Sequence, residues 1–487
     1  MSQVYIIGTG PGDEELLTLK AVKSLKKCTA VLYDRLVSNN ILNYLNEKCE
    51  IYYCGKEPGA HYKTQDEINS LIIKLAKEGH IVGRIKGGDP YVFGRGGEEV
   101  LELSKENISF EVIPGVTSPI AVLNYAGIPI THRGLAQSFH VITGMSAQNL
   151  NVNFKALAME EGTLVFMMGL SNLENIVTEL IANGKDLKTP CGVVMRGTSA
   201  KQKKVIGTLD NIVEKVRNAK LQSPCIIVVG EVVTLNEKLT WYENKPLFGK
   251  NICVTRSEKQ SASLKEKLRD LGAEVTAMHS IDIKSTVNNL DKYISKLGEY
   301  DHIVFTSVNS VNIFFDYLLE KSYDIRGIKG KISVIGKATS QAIAKRGIVP
   351  FLMAREFVGE GLIKKLKPHI NENEKILLPC SSKSRSYVYD ELESTGAKVD
   401  RVFIYDTVCG NVRNTRSFNE VDIVFFTSPS TVYNMVELVG VEAIREKHVI
   451  AIGRQTNKPL LELGINADVC KEHSEDGFLK EIISLIK

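Results

Sequence analysis

The chain lacks paired cysteines: its nine are an odd number, scattered, and none forms a C-x-x-C motif. That excludes a zinc ribbon and a disulfide framework, and a reducing cytoplasm is the expected compartment. Charge of one sign is lacking too. Lys and Arg number 61 and Asp and Glu 57, a net charge of +4. The balance holds on both sides of Lys245, with 27 basic and 26 acidic residues up to it and 34 and 31 beyond. Neither half is a basic tail, so no nucleic acid partner is expected. No apolar run approaches the ~18 residues of a membrane helix. The opening MSQVYIIGTGPGD has no basic stretch before its apolar run, which breaks at Gly8, so it is not read as a signal peptide. A dinucleotide fingerprint is missing as well. Gly8-Thr-Gly10-Pro11-Gly12-Asp13 has Asp13 where the third glycine belongs, so the spacing fails. No metal site is expected.

What is present is 487 residues with 43% apolar content, enough at roughly 100–200 residues per domain for two to four domains. Short apolar runs at Val4–Ile7, Val31–Tyr33, Ile51–Cys54, Ile81–Ile85 and Phe110–Ile113 alternate with helical patterns. More follow at Phe139–Thr143, Leu164–Met167, Val193–Met195 and Ile226–Val229. Thr64-Gln-Asp-Glu67 has the form of a capping box, with Ile68, Leu71, Ile72 and Leu75 on one helical face behind it. Continuous apolar strands separated by helices predict an α/β protein with covered sheets. A helical pattern is also read through Leu16, Leu17, Leu19 and Val22. The stretch Trp241–Gly249 holds the only Trp, a Pro and a Gly before a fresh strand at Ile252–Thr255. The domain boundary is placed there, giving domains 1–245 and 246–487.

The second domain repeats itself. Val304-Phe-Thr-Ser-Val-Asn-Ser-Val311 resembles Phe425-Phe-Thr-Ser-Pro-Ser-Thr-Val432, Val334–Thr339 resembles Ala451–Thr456, and Leu271–Val275 resembles Thr395–Val399. The offsets are 121, 117 and 124 residues. A period that long means two duplicated α/β lobes, not a solenoid, and two lobes leave a cleft for a ligand.

In the first domain, Ile85–Glu99 holds five glycines and a proline in fifteen residues, a composition that favours close backbone approach to a ligand over core packing. Asp89 and Arg95 put opposite charges there; the same loop could be solvated, with a local ion pair. VYIIGTGPGDEELLTLKA, VLYDRLVS, VGRIKGGDPYVFGRGGEE, VIPGVTSPIAVLNYAGIPITHRG, TLVFMMG and SPCIIVVGEVV stand in the order and spacing of uroporphyrinogen-III C-methyltransferases, and over residues 2–245 the chain resembles that family. The resemblance implies a two-lobed class III methyltransferase fold, a homodimer, and S-adenosyl-L-methionine as cofactor. By motif match the cofactor is expected against Pro11, Gly87, Gly88, Asp89, Val92, Thr117, Ser118, Met168 and Gly197. Taken alone, Met168 reads as core and Thr117-Ser118 as a helix start. Carbon methylation must be followed by loss of a proton, which calls for an acid/base group and positioning. Asp34 matches the family's proton acceptor and Lys56 its donor. Arg84, Arg95, His132 and Arg133 are candidate anchors for the eight carboxylates of uroporphyrinogen III, since guanidinium binds carboxylate bidentately; any of them could instead pair with Asp89 or Glu98. Methylation at C2 and C7, giving precorrin-2, is what the resemblance implies.

ICVTR from Ile252, LRDLGAEV, FTSVNSV, VIGKATSQAI, FVGEGL, ILLPCSSKSR, VFIYDT, FFTSPSTV and AIGRQT run in the order of uroporphyrinogen-III synthases, which residues 250–487 resemble. The implied fold has one lobe from 250–284 plus 407–487 and another from 285–406. The implied reaction closes hydroxymethylbilane into uroporphyrinogen III with ring D inverted. Thr306, Ser307, Thr339, Ser384, Thr427, Ser428 and Thr456 are candidate carboxylate holders, although each hydroxyl could as well cap a helix. Tyr405 matches the Tyr that helps the substrate hydroxyl depart. Cys380-Ser381 stands where family members often have Arg-Gly. Two alternatives stay open: a methylase acting later in corrin synthesis, and a second half that only binds or senses tetrapyrroles. The expected protein is a cytoplasmic fusion serving sirohaem or cobalamin synthesis, with no membrane partner.

Overall fold

The computed structural model describes residues 3–55, 63–145, 152–354, 359–410 and 412–486. β1 (Gln3–Gly8), β2 (Ala30–Tyr33), β3 (Glu50–Tyr53), β4 (Val82–Lys86) and β5 (Ser109–Ile113) form a sheet in the order β3-β2-β4-β1-β5. Every pairing in it is parallel, so the loops leaving its strands gather at one edge. Helix Gln65–Lys77 opens with the expected capping box: Glu67 N donates to Thr64 Oγ1 at 3.3 Å, and Thr64 N donates to Glu67 Oε2 at 2.6 Å. The helix read from Leu16 begins later. Glu14–Leu16 is one 3-10 turn, and the helix runs Leu19–Leu25 because Thr18 Oγ1 caps it, accepting from Ala21 N at 3.1 Å.

β6 (Phe139–Thr143), β7 (Thr163–Met167), β8 (Pro190–Met195), β9 (Lys203–Thr208) and β10 (Cys225–Val229) make a second sheet, ordered β6-β7-β10-β8-β9. Only β6 and β7 run parallel; the other three pairings are antiparallel. The four strands read from the sequence here are separated by helices as expected, but β9 is not among them, and it reverses the direction of the chain. The link from β8 to β9 is too short for a crossover, and a short link returns the chain antiparallel.

β11 (Asn251–Val254) and β12 (Glu274–Ala277) begin a third sheet. The chain then builds a six-stranded fourth sheet from β13 (Ile281–Ser285), β14 (His302–Phe305), β15 (Lys331–Ile335), β16 (Leu352–Ala354), β17 (Lys375–Ser381) and β18 (Lys398–Cys409), ordered β13-β18-β17-β14-β15-β16. It returns with β19 (Ile423–Phe426), β20 (His448–Ala451) and β21 (Asp468–Val469) to complete the third sheet as β12-β11-β19-β20-β21. The duplication is visible locally: β14 and β19 each lead through Thr-Ser into a helix, Val308–Glu320 and Pro429–Val439.

By compactness the chain resolves into two units, Met1–Met278 with Val412–Lys487, and His279–Asn411. The second unit is wider than the 285–406 expected. Its two bounding strands pair with each other, Ile281 opposite Cys409 through Ser285 opposite Tyr405, so both belong to it. Residues 1–245 and the third sheet share the first unit. The stretch after Thr240 is packed: Tyr125 lies 5.0 Å from Trp241 and 4.7 Å from Tyr242. Each sheet has its own apolar cores. No helix among the described residues is long and apolar enough to cross a membrane.

Candidate functional site

At the carboxyl edge of the first sheet, three turns meet. Gly88 N donates to the Gly10 carbonyl at 2.7 Å, and Gly10 N returns a bond to Gly88 at 3.2 Å. Asp89 Oδ2 accepts from Gly115 N at 3.0 Å and Oδ1 from Tyr91 N at 2.8 Å. The approach is so close that a Cβ on Gly115 would sit 2.2 Å from the Gly88 carbonyl oxygen, and one on Gly8 2.6 Å from Gly115 N. Gly88 has φ +69°, which only glycine adopts without strain. The Pro11, Gly87–Asp89 and Thr117–Ser118 segments are therefore brought together by backbone contact. Thr117 precedes helix Ser118–Tyr125 without a side-chain cap bond, which leaves its hydroxyl available.

Gly197 joins this group from the second sheet. A Cβ there would lie 2.4 Å from Val122 in that same helix. Arg196 and Thr198, on either side, are left-handed at φ 44° and 68°. Asp13 N donates to Thr198 Oγ1 at 3.3 Å, and Tyr125 Oη to Asp13 Oδ2 at 2.9 Å. Met168 follows β7 with φ 56° and is 41% exposed, so it is not the core residue its apolar strand suggested. Val92 is half-buried.

Asp34 follows β2 at the same edge. Its Oδ1 accepts from Leu36 N at 3.0 Å, and its Oδ2 accepts from Arg84 Nη2 at 3.1 Å. Arg84 is 4% exposed. Its Nε donates to Glu99 Oε1 at 3.0 Å and its Nη1 to the Ile85 carbonyl at 2.8 Å. Lys86 Nζ donates to the same Glu99 oxygen at 3.0 Å, and Gln65 Nε2 at 3.2 Å. Burial works against the Arg84 charge, but Glu99 and Asp34 outweigh it and hold its pKa above the usual value. Burial, reinforced by Arg84, pushes the Lys86 amine below its usual value. The expectation that Arg84 anchors substrate carboxylates is corrected here: its donors are engaged by Asp34, Glu99 and a carbonyl. It orients Asp34 instead. Arg95, His132 and Arg133 are exposed. Arg95 forms a two-bond pair with Glu98, at 2.9 and 2.6 Å. Lys56 lies outside the described residues.

Sequence reasoning missed Glu99 and Lys86. A signal existed: Arg84 and Lys86 are two apart in a strand, hence on one face, and buried cations need an acid partner. Glu99 is buried on the helical face of Val100 and Leu103, while Glu98 is exposed.

In the fourth sheet, Thr306 and Ser307 follow β14, Thr339 lies in the helix after β15, Ser384 follows β17, and Tyr405 lies in β18. Ser307 Oγ is 2.9 Å from Tyr405 Oη and 2.7 Å from Ser310 Oγ, and it accepts from Ser310 N at 3.0 Å. Burial raises the Tyr405 pKa, against the pull of Ser307. Ser384 carries its carbonyl to Arg401 Nη2 at 2.6 Å, and Arg401 also stands over the Phe403 ring at 5.0 Å. Arg401, beside the buried Cys380, is a cation that sequence reasoning did not single out. In the third sheet, Thr427 and Ser428 follow β19 and Thr456 lies in the helix after β20. Ser428 caps its helix with a reciprocal Thr431 box. For Ser307 and Ser428 the helix-capping alternative describes what the hydroxyls do. Among the described residues no group of three His, Cys, Asp or Glu could hold a metal ion.

A glycine-built ligand edge on a parallel sheet, followed by duplicated lobes, is the build of a small-molecule enzyme fused to a second one. Residues 3–213 match the tetrapyrrole (corrin/porphyrin) methylases, and residues 262–480 match uroporphyrinogen-III synthase HemD. A Ruminiclostridium josui porphyrin biosynthesis protein HemD is 35% identical over 99% of this chain and 98% of its own length. A uroporphyrinogen-III C-methyltransferase of Methanocaldococcus jannaschii is 49% identical over 48% of this chain and 97% of its own. A solved uroporphyrin-III C-methyl transferase from Thermus thermophilus, complexed with S-adenyl homocysteine, is 39% identical, covers 48% of this chain and 99% of its own, and superposes with TM-score 0.42. The chain belongs to the uroporphyrinogen-III C-methyltransferases through its first half and to the uroporphyrinogen-III synthases (HemD) through its second.

Proposed function

We propose that the chain performs two consecutive steps of tetrapyrrole biosynthesis. The second half cyclises hydroxymethylbilane to uroporphyrinogen III, inverting ring D. The first half methylates that product at C2 and C7, giving precorrin-2, with S-adenosylmethionine as donor. When bound, S-adenosylmethionine supplies a methyl group on a sulfonium, open to attack by an electron-rich pyrrole carbon.

The glycine edge fits such a cofactor. Turns at Gly8 and Gly115 approach so closely that side chains there would clash, and Gly88 holds a left-handed backbone, leaving backbone N–H and carbonyl groups and Asp89 to meet the ammonium and ribose. Val92 and Met168 offer apolar surface for adenine, with Pro11, Gly87, Thr117, Ser118 and Gly197 completing the lining. The observation that carries the reading is Asp34, an acid at this same edge fixed by Arg84 at 3.1 Å. Asp34 takes the proton that the methylated carbon must lose. Arg84 and Glu99 hold it in place. Exposed Arg95, His132 and Arg133 receive carboxylates, and Lys56 returns a proton.

In the second half, Tyr405 donates its phenolic proton to the departing hydroxyl, oriented by Ser307 at 2.9 Å. The hydroxyls of Thr306, Thr339, Ser384, Thr427 and Thr456, with the N–H groups of the helices that Ser307 and Ser428 cap, are offered to substrate carboxylates. The first half forms a homodimer, as its family resemblance implies. A reducing cytoplasm suits nine free cysteines, eight of them buried.

The test supplies hydroxymethylbilane and S-adenosylmethionine to the full chain. Precorrin-2 is the expected product. Uroporphyrinogen III accumulating unmethylated would break the first assignment, and uroporphyrinogen I alone the second.

A further inference from the structure

The loop that carries Gly197 is unusual. Arg196 and Thr198 are both left-handed non-glycine residues, at φ 44° and 68°. Such backbone persists only where the surroundings over-determine it. Part of that restraint is internal: Thr198 N donates to Gln202 Oε1 at 2.9 Å, and Ser199 Oγ to the Arg196 carbonyl at 2.8 Å. Part comes from the methylase half, where Asp13 N donates to Thr198 Oγ1 at 3.3 Å, and part from the third sheet, within the same compact unit. Glu274, the first residue of β12, accepts from Ala200 N through Oε2 at 2.9 Å. Glu420, just before β19, pairs through one carboxylate oxygen with Arg196 at 3.2 Å and Lys201 at 3.3 Å. Two further segments of the methylase half are held likewise. Asn40, six residues past Asp34, donates to the Val275 carbonyl at 2.7 Å, and Glu14, after the Pro11 turn, pairs with Arg269. The segments gripped are thus those that follow Asp34 and Pro11 and the one that carries Gly197.

We propose that Glu274 and Glu420 are positioning residues for the methyl donor, through which the synthase half holds the 196–201 loop in its binding shape. This rests on Gly197 lining the S-adenosylmethionine site as read above. Neither carboxylate touches the cofactor. Each acts through the backbone or cations of the loop. Because coupling between two sites is reciprocal, donor binding also tightens β12 and its surroundings.

The test uses the full chain with Glu274→Ala and Glu420→Ala together. By calorimetry the Kd for S-adenosylhomocysteine rises about fivefold or more, the lower range of measured couplings. KM for S-adenosylmethionine rises in parallel while kcat changes less than about twofold, the sign of lost binding rather than lost chemistry. Without any cofactor, amide hydrogen exchange at Gly197–Ala200 speeds up. Cyclisation of hydroxymethylbilane stays at the wild-type rate, which reports an intact second half. Glu274→Gln, whose amide oxygen still accepts from Ala200 N, remains close to wild type. Glu420→Ala alone leaves β12 untouched and shows a smaller rise, so a misfolded double variant does not end the test. Wild-type affinity and wild-type exchange in a folded double variant overturn the proposal. Absence of S-adenosylhomocysteine binding by the unaltered chain overturns the donor-site reading itself, and this inference with it.

Discussion

The first and fourth sheets solve the same problem with opposite materials. Both gather their turns beyond parallel strands. In the first, Asp34 is fixed by a chain of charges, Arg84, Glu99 and Lys86, with Arg84, Glu99 and Lys86 all under 6% exposed. In the fourth, Tyr405 is fixed by hydroxyls, Ser307 and Ser310. Losing a proton from a carbon needs a base whose charge and direction are set, and buried ion pairs set both at the cost of fragility. Folding a linear substrate so that water leaves needs many weak donors, and helix caps provide them with little desolvation.

That contrast can be broken in five places. The largest effect is expected from Asp34→Asn: methylation falls about 10²–10⁴-fold, the span of general acid–base catalysis, while cyclisation continues. Equal loss of both activities would mean a folding defect and erase the contrast. Next is Glu99→Ala, which leaves Arg84 and Lys86 charged and buried. Removing one partner from a buried network costs about 3–5 kcal/mol, so thermal unfolding shifts down sharply. A change within measurement error would show that the buried charges do not depend on Glu99. Tyr405→Phe removes the bond to Ser307 and the proton donor, and cyclisation should slow about tenfold or more with methylation of supplied uroporphyrinogen III unchanged. The smallest effect is from Ser428→Ala, about 1 kcal/mol for a lost cap. Ser307→Ala should cost the same in stability and also slow cyclisation. If Ser307→Ala changes stability alone, the fourth sheet's capping hydroxyl is structural.

A pH dependence follows from Tyr405. Its pKa is raised by burial above the ordinary tyrosine value, so the unfolded chain releases this proton first. The group's stabilising contribution is whole below the ordinary value near 10 and declines as pH rises above it. Cyclisation should keep its phenol donor up to at least that pH; a rate that fell already near pH 8 with Tyr405 as its source would contradict this.

Much of this is legible in the sequence. The Thr64 capping box, the duplicated Thr-Ser turns and the glycine-rich Ile85–Glu99 loop each follow from local chemistry, and each stands where read. What escaped was tertiary. Arg84 reads as a substrate anchor until Glu99 is seen behind it, since no spacing rule joins a strand to the face of a later helix. The antiparallel strands of the second sheet escaped because apolar runs do not encode direction. Met168 escaped as an exposed residue because its left-handed backbone, at φ 56°, is invisible in a strand-like sequence.

The third sheet is written in two instalments. Thr255, just past β11, donates its hydroxyl to the Phe425 carbonyl across 170 residues, with the whole fourth sheet threaded between them. A ribosome therefore releases a methylase half able to close its own two sheets while β11 and β12 still wait for their neighbour β19. A stop codon between β12 and β19 would leave β11 and β12 exposed at a sheet edge, so that termination product should aggregate, whereas a chain ending before β11 keeps only the first two sheets.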